Sequence, residues 1–201
     1  MLLVGLTGGL ACGKTFVAAA LHNLGCHIVE ADTLGHEVLQ PGGEAHAKVI
    51  AEFGPAIQTP DGNIDRPKLA ALVFAHPAAL ERLNSIVHPA VKDRASRLFR
   101  EIVARDPHAI IVYAAAILIE TGGHRDVAKL ILVTCPRETQ IARALERPHS
   151  TEADVLARLA RQLPLEKKRE FADYIIDTGG TKEDTLRQTK MVYEDLRRLP
   201  S

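Results

Sequence analysis

The stretch GLTGGLACGKT, residues 5–15, decides the fold of this chain and follows directly on its first apolar run. It contains the spacing Gly8-x-x-x-x-Gly13-Lys14-Thr15, which is the pattern of a phosphate-binding P-loop. Glycine is favoured in such a loop because backbone N–H groups must converge on phosphate oxygens and a Cβ would obstruct the tight turn. The pattern therefore predicts a nucleotide phosphate site directly behind the first strand.

The loop residues have distinct predicted roles. A helix begins at the loop, so the positive end of its dipole faces the anion. Lys14 can reach the β- and γ-phosphates, and the hydroxyl of Thr15 can bind Mg²⁺. The predicted phosphate-binding residues are the consecutive positions Gly8, Gly9, Leu10, Ala11, Cys12, Gly13, Lys14, Thr15 and Phe16.

Apolar runs along the rest of the chain predict an α/β protein. The predicted strands are MLLVGLT, CHIVEAD ending in Asp32, HAIIVYAAAILIE closing on Glu120, KLILVTCP and DYIIDTGG. The opening order of strand, loop, helix and strand indicates a doubly wound sheet. We therefore predict a five-stranded parallel core of the P-loop NTPase type, flanked by helices.

Two segments between the strands predict helical additions to this core. Residues 33–103 show no strand pattern and are expected to be helical, with interruptions at Pro77 and Pro89. Residues 138–167 are expected to form a helical pair broken at Pro148. The predicted parts are a core of residues 1–32, 104–137 and 168–201, an insertion at 33–103 and a lid at 138–167.

Composition limits the class of protein. The 201 residues include 25 basic and 25 acidic side chains, for a formal net charge of zero, whereas a general nucleic-acid binder usually shows a basic excess. No apolar run approaches the roughly 18 residues of a membrane helix, and the three cysteines lack CxxC spacing and fit reduced thiols. We expect a cytoplasmic monomer or weak homo-oligomer with a small-molecule substrate and neither nucleic acid nor membrane as partner.

The loop alone does not choose among kinases, GTPases and ATPases. The chain has no NKxD-type guanine motif, and no acid directly follows the strand AIIVYAA as in a motor ATPase. Asp32 favours a kinase, because a carboxylate at the carboxyl end of the second strand faces the ligand crevice. There it could accept a hydroxyl proton from a phosphoryl acceptor, or it could help hold Mg²⁺. The alternative is that Asp32 only caps the following helix.

Five landmarks in order resemble the dephospho-CoA kinase family over nearly the whole chain. They are the loop VGLTGGLACGKTFVA, the segment VEADTLGHEVL, an insertion with Asp65, Arg66, Phe74, His88 and Pro89, the lid segments ETQIARALER and ARLARQ, and the last strand ADYIIDTGG. The resemblance implies that the γ-phosphoryl group of ATP is transferred to the 3′-hydroxyl of dephospho-CoA, giving CoA and ADP. The cofactors that it implies are ATP and Mg²⁺, and it makes the insertion the acceptor-binding part.

The resemblance also implies residue roles. The implied catalytic residues are Asp32 as the base, Lys14 on the donor phosphates and Arg143 on a mobile lid. Arg147 would bind the nucleotide, and Asp177, near the family's asparagine, would contact adenine through its backbone. The implied acceptor-binding residues are Asp32, Arg66 and His88. A lone histidine is more often a structural hydrogen-bonding group than an acid or base, so His88 is assigned substrate contact or local structure.

The arginine and aspartate assignments have structural alternatives. Gln140, Arg143 and Arg147 lie at spacings of three and four, so we expect them on one helix face. That face could instead be an ordinary solvated, charged surface. Asp65 and Arg66 could form an ion pair where a helix begins.

The chain departs from the family's usual pattern in the loop and in the segment YAAAILIE. Ala11 replaces a loop glycine, which requires ordinary backbone angles there. Phe16 replaces a threonine or serine, so any α-phosphate contact would come from its backbone N–H. Cys12 is either a small spacer or, if the helix start lowers its pKa, an oxidation-sensitive thiol. In YAAAILIE, Ala116 replaces a proline and an acid is missing, whereas Glu120 is kept.

These departures leave two alternatives to dephospho-CoA kinase activity. One is a P-loop kinase for another nucleoside-like acceptor. The other is a nucleotide-binding regulatory protein that has lost transfer activity. The presence of Lys14, Thr15 and Asp32 favours an ATP-dependent phosphotransferase with an alcohol acceptor over the regulatory alternative.

Overall fold

The apolar runs form a five-stranded sheet whose strands are β1 Leu2–Gly8, β2 His27–Glu30, β3 Ile110–Ala114, β4 Lys129–Thr134 and β5 Tyr174–Asp177. The strand order is β2-β3-β1-β4-β5, so the strand that precedes the glycine loop is central. Strand β1 pairs in parallel with β3 and β4, and β4 pairs in parallel with β5. The predicted five-stranded parallel core is confirmed.

The computed structural model describes residues 1–148 and 150–200, except for the side chains of Phe74 and Ala75, so the Phe74 landmark lies outside the described residues. The chain divides into two compact units. The first comprises Met1–Val29 and Ile102–Ser201, and the second comprises Glu30–Glu101. The first unit contains the sheet and the glycine loop, whereas the second is mainly helical.

Helices make up most of the remaining described chain. They are α1 Lys14–Asn23, α2 Ala31–Glu37, α3 His46–Phe53, α4 Arg66–Ala75, α5 Pro77–Arg105, α6 Arg137–Leu145, α7 Glu152–Ala160, α8 Leu165–Arg169 and α9 Lys182–Leu196. The lid segment therefore contains three helices or parts of helices rather than the predicted pair. Among the described residues, no helix is both long and apolar enough to cross a membrane.

One face of the sheet packs against α1 and α9. The side chains of Val4, Leu6, Val112, Ile131 and Val133 have no solvent exposure, and they form one core with residues of α1 and α9. The carboxyl ends of parallel strands meet at one edge of a sheet, which is where ligands bind in this kind of fold. The glycine loop, which follows β1, lies at that edge.

A glycine ends α1 and turns the chain towards β2. Gly25 has a φ of 105° and donates its N–H to the His22 oxygen at 2.9 Å. The next N–H, of Cys26, donates to the Leu21 oxygen at 3.0 Å. These two bonds form a Schellman motif, which satisfies the last free carbonyls of the helix.

Three element boundaries correct the sequence predictions. Strand β3 ends at Ala114 rather than at Glu120, because residues 116–122 form hydrogen-bonded turns. Helix α5 continues through Pro89, since a proline removes one backbone hydrogen bond of a 29-residue helix and leaves those on either side. Asp32 lies in the first turn of α2, because β2 already ends at Glu30, the extended residue that precedes the helix.

Candidate active site

The loop between β1 and α1 has a backbone suited to an anion. Gly13 precedes α1 with φ 79° and ψ 19°, which is the left-handed conformation. Ala11 has a φ of 55°, and the N–H of Cys12 donates to the Gly9 oxygen at 3.2 Å. Turns with left-handed residues can direct successive N–H groups into one concavity, which makes an anion-binding nest. The start of α1 adds its dipole to that concavity.

Two glycines of the loop are required by close packing. A Cβ on Gly8 would lie 2.7 Å from the backbone oxygen of Val133 on β4. A Cβ on Gly9 would lie 2.6 Å from Oε1 of Gln140 on α6 and 2.9 Å from the Cys12 sulfur. The loop is therefore packed tightly against the neighbouring strand and against α6.

The backbone at Ala11 corrects the expectation of ordinary angles there. Its φ of 55° is in the left-handed region, which residues with a Cβ rarely adopt. The reason is that the fold of the loop, rather than the local preference of alanine, sets this turn. Alanine in this conformation carries a strain of about 1 kcal/mol that glycine would not.

Ala11→Gly is therefore expected to leave the protein equally stable or to stabilise it by up to about 1 kcal/mol. Glycine relieves the backbone strain, but its greater conformational freedom in the unfolded chain offsets part of that gain. Urea denaturation at unchanged slope measures this difference. The matched variant Ala11→Val should be clearly less stable, because a β-branched side chain is more strained at positive φ. A clear loss of stability in Ala11→Gly would contradict the left-handed assignment.

Lys14 and Thr15 open α1 beside the loop. Lys14 is half-buried and Thr15 is exposed, and neither side chain forms a hydrogen bond or ion pair with any described residue. The backbone N–H of Phe16 donates to the Gly13 oxygen at 3.0 Å. The N–H expected to meet an α-phosphate is thus already engaged in the first turn of the helix.

Cys12 is a buried spacer rather than a reactive thiol. Its sulfur lies 3.4 Å from that of Cys135, and both side chains are buried. Burial, reinforced by Cys135, raises the pKa of the Cys12 thiol to about 12. The alternative of a lowered pKa and an oxidation-sensitive thiolate is therefore wrong, because desolvation of the buried thiolate is the largest influence on this pKa and raises it.

Arg143 reaches the loop through a residue that sequence analysis missed. Its Nη1 donates to the hydroxyl of Thr178 at 3.0 Å, and its Nη2 donates to the Thr178 carbonyl at 2.8 Å. The Thr178 hydroxyl in turn donates to the Cys12 carbonyl at 2.8 Å. The only sequence signal for Thr178 was its place near the end of the last predicted strand, DYIIDTGG.

The expected shared face of Gln140, Arg143 and Arg147 is wrong. Helix α6 ends at Leu145, because Pro148 disfavours helical backbone in the residues before it. Arg147 therefore lies beyond the helix, exposed, with no hydrogen bond or ion pair from its side chain to the described residues. Gln140 is buried, and its Nε2 donates to a backbone oxygen at 3.4 Å.

Asp177 ends β5 at the same edge of the sheet. Its N–H and C=O both bond the side-chain amide of Gln188, each at 2.9 Å. Its carboxylate accepts the N–H of Gly179 at 2.8 Å and so shapes the turn that follows. The backbone groups expected to meet adenine are thus already paired.

A cavity of about 550 Å³ opens beside Gly9 in the first unit. Residues of α6, α7, α8 and the end of β5 line it, including Gln140, Leu159, Arg169 and Asp177. Its lining combines a loop glycine, charged groups and leucine side chains. A cavity of this volume can hold a small molecule, and its charged lining suits a polar ligand.

A buried lysine bonds to the turn at residues 116–120, which is where the chain departs from the family pattern. Lys168 on α8 has no solvent exposure, and its Nζ lies 2.9 Å from the Ala116 oxygen and 2.8 Å from Oε1 of Glu120. The same Glu120 oxygen accepts the N–H of Leu163 at 3.0 Å. The hydroxyl of Thr7 also donates to the Ala116 oxygen, at 3.2 Å. Charged and polar contacts therefore position the turn that a proline would otherwise stiffen.

The other expected site residues lie in the second unit. Asp32 is exposed and forms no hydrogen bond or ion pair within the described part of the chain. Nη2 of Arg66 donates to Nε2 of His36 at 2.7 Å, which requires an unprotonated ring nitrogen. His88 lies on α5, and desolvation lowers its pKa, which favours the neutral ring.

The alternative of an Asp65–Arg66 ion pair is wrong. Asp65 caps α4 by accepting the backbone N–H of Lys68 at 3.1 Å, and it also pairs with the Lys68 ammonium at 3.1 Å. These contacts lower the pKa of the Asp65 carboxyl, with the backbone hydrogen bond as the largest cause. The guanidinium of Arg66 is thus not tied to its neighbour.

The sheet, the glycine loop and the Lys14-Thr15 pair at the start of α1 together define a P-loop nucleotide-binding protein. A family model described as dephospho-CoA kinase matches residues 2–184. The chain belongs to the dephospho-CoA kinase family, and the resemblance seen in the sequence is confirmed.

Known relatives match over nearly the full length. A relative from Geobacter metallireducens named dephospho-CoA kinase is 40% identical over 195 residues, which are 97% of this chain and 96% of the relative. A crystal structure from Thermus thermophilus is 30% identical with a TM-score of 0.79 and covers 97% of each chain. A dephospho-CoA kinase structure from Campylobacter jejuni, 22% identical with a TM-score of 0.64 over 96% of each chain, supports the fold alone.

Proposed function

We propose that the chain transfers the γ-phosphoryl group of ATP to the 3′-hydroxyl of dephospho-CoA, with CoA and ADP as products. The observation that carries this proposal is the loop, where left-handed backbone at Ala11 and Gly13 leads into Lys14 and Thr15 at a helix start. Membership of the dephospho-CoA kinase family supports the acceptor. Phosphoryl transfer of this kind needs positioning and charge neutralisation rather than a covalent intermediate.

On the donor side, we assign the phosphates to the backbone of residues 8–15 and to the ammonium of Lys14, and we leave out the N–H of Phe16 because it is bonded to the Gly13 oxygen. Arg143 uses two N–H groups on Thr178. A guanidinium has five, so three remain for the transferring group. Arg147, an exposed cation beyond α6, is assigned to nucleotide binding. Asp177 is assigned to nucleotide binding as well, because it forms part of the cavity wall.

Mg²⁺ fits the Thr15 hydroxyl. Among the described residues no group of three or more histidine, cysteine or acidic side chains could hold a metal. Mg²⁺ in kinase sites usually keeps several waters and binds substrate phosphates and only one or two protein oxygens. The exposed hydroxyl of Thr15, next to Lys14, fits this requirement. The ion would neutralise charge on the β- and γ-phosphates.

On the acceptor side, Asp32 is assigned to the hydroxyl that receives the phosphoryl group. An exposed carboxylate that forms no hydrogen bond or ion pair with the described residues is available to accept or orient that proton. Arg66 and His88 are assigned to the acceptor. A cation suits the acceptor's phosphates, and a neutral imidazole can donate or accept a hydrogen bond.

Two further assignments complete the proposal. We propose the cytoplasm as the compartment, which suits the three free cysteines, and a monomer or weak homo-oligomer as the assembly. The family match disfavours both a different acceptor and a regulatory protein without transfer activity.

The test compares dephospho-CoA with its 3′-deoxy analogue as acceptors for Mg-ATP. Of the two compounds, only dephospho-CoA is expected to cause ADP release from Mg-ATP. The 3′-deoxy analogue should inhibit this reaction, because it competes with dephospho-CoA for the same site. ADP release at equal rates with both compounds would contradict transfer to the 3′-hydroxyl.

Asp32→Asn is expected to lower turnover by about 10²-fold or more while leaving ATP affinity nearly unchanged, because the carboxylate acts on the acceptor hydroxyl. Steady-state kinetics and nucleotide titration measure the two quantities separately. Asp195→Asn, which removes a surface carboxylate on α9, is the control and should keep full turnover. Near-normal turnover in Asp32→Asn would remove Asp32 from the mechanism.

A further inference from the structure

We propose that Thr178 is a positioning residue for phosphoryl transfer, which orients the Cys12–Gly13 peptide of the phosphate loop. The proposal rests on the loop binding a nucleotide, as proposed above, but not on the identity of the acceptor. Thr178 follows β5 and is 5% exposed, so its hydroxyl must find its hydrogen-bond partners inside the protein.

The single hydroxyl proton of Thr178 goes to the loop. Its Oγ1 lies 2.8 Å from the Cys12 oxygen and 3.3 Å from the Thr134 oxygen. The Cys12 carbonyl is the closer acceptor. The methyl and hydroxyl of Thr178 also lie 3.5 Å from the position that a Cβ on Gly13 would occupy. Thr178 therefore supports the loop by both a hydrogen bond and packing.

This bond determines where an N–H group of the loop points. In a trans peptide the C=O and the following N–H point in opposite directions. Because the Cys12 carbonyl is held towards buried Thr178, the N–H of Gly13 is directed away from the protein interior. A donor held in advance stabilises phosphate charge without reorganisation during the reaction.

Thr178 is itself fixed by two neighbouring elements. Its N–H donates to the Thr134 oxygen at 2.9 Å, which extends the pairing of β4 and β5. Arg143 donates to its hydroxyl at 3.0 Å and to its carbonyl at 2.8 Å. A hydroxyl that accepts a bond from a cation becomes a stronger donor in turn. Helix α6 is thus connected to the phosphate loop through Thr178.

The test compares Thr178→Val with Thr178→Ser. Valine keeps the shape but removes the hydroxyl, whereas serine keeps the hydroxyl. Thr189→Val is the matched control, because Thr189 has no solvent exposure and its hydroxyl bonds the Thr185 oxygen of its own helix at 2.8 Å. ATP affinity by titration, the KM for ATP and the melting temperature are measured for each variant.

Thr178→Val is expected to weaken ATP binding and raise the KM for ATP about tenfold, because it removes the hydroxyl's bond to the Cys12 oxygen of the loop and the bond that it accepts from Arg143. Thr178→Ser should bind ATP within about twofold of wild type, and Thr189→Val should bind ATP normally even where its melting temperature falls. Should valine not fold, Thr178→Ala against Thr178→Ser makes the same comparison. ATP binding by Thr178→Val as tight as wild type, or an equal loss in Thr189→Val, would overturn the proposal.

The ATP affinities of the Thr178 variants do not depend on the identity of the acceptor. ATP titration needs no dephospho-CoA, so a different acceptor would leave the expected binding changes unaltered. A chain that binds no ATP in its wild-type form would instead contradict both the proposed function and the role of Thr178.

Discussion

Lys168→Met is expected to lower the free energy of unfolding by about 3–5 kcal/mol, because it leaves the carboxylate of Glu120 without its positive partner. The Lys168 side chain has no exposure and that of Glu120 is 17% exposed, with 2.8 Å between Nζ and Oε1. Methionine keeps most of the side-chain volume, so the loss is electrostatic. For a chain of this size, the decrease in the free energy of unfolding corresponds to a fall of about 6–20 °C in melting temperature.

Two comparisons separate this effect from a general loss of charge. Lys129→Met breaks a pair with Asp173 at 2.7 Å whose side chains are each about one-third exposed, and it should change the melting temperature little. Adding Glu120→Leu to Lys168→Met should recover much of the lost stability, since an apolar pair can replace a buried ion pair. A fall in Lys168→Met no larger than that in Lys129→Met would contradict the assignment.

Lys14→Met is expected to lower kcat/KM on the order of 10²–10³-fold while the melting temperature stays near that of wild type. The ammonium of Lys14 forms no hydrogen bond or ion pair with the described residues that the fold would lose. Its charge is instead assigned to the phosphates of the donor, where charge changes during transfer. Steady-state ADP release and thermal denaturation measure the two effects.

Lys190→Met is the control for Lys14→Met. Lys190 is exposed on α9, with its Nζ 3.9 Å from a carboxylate oxygen of Glu194. Loss of that surface charge should leave both kcat/KM and the melting temperature unchanged. If Lys14→Met kept normal kcat/KM, or if Lys190→Met lost as much, the loop lysine would not be the group that acts on the phosphates.

The sheet and the loop could be predicted from the sequence because their signals are local. Five apolar runs separated by helical periodicity indicate buried parallel strands, and the Gly8-to-Thr15 spacing indicates a phosphate cradle whatever follows it. The same local reasoning failed at Ala11, where the loop imposes a left-handed backbone that alanine alone would avoid. It also failed at Arg147, because a break at Pro148 was expected whereas the helix already ends at Leu145, three residues before the proline.

The contacts that fix the site could not be predicted, because they join residues far apart in the chain. The Thr178 hydroxyl bonds the Cys12 carbonyl across 166 positions, and Lys168 bonds the Ala116 carbonyl across 52. Neither periodicity nor motif spacing carries information about such pairs. A buried threonine after a strand and a lysine in a charged helix have no distinctive pattern until the fold brings their partners to them.

The most direct test of dephospho-CoA kinase activity is to incubate the chain with Mg-ATP, with and without dephospho-CoA, and to follow ADP release together with mass detection of CoA. ADP released only in the presence of the acceptor, in equal amount to the CoA formed, is the expected result, and Lys14→Met provides the blank. ATP binding with no CoA formed would contradict the proposed reaction and indicate a different acceptor or a nucleotide-binding protein without transfer activity.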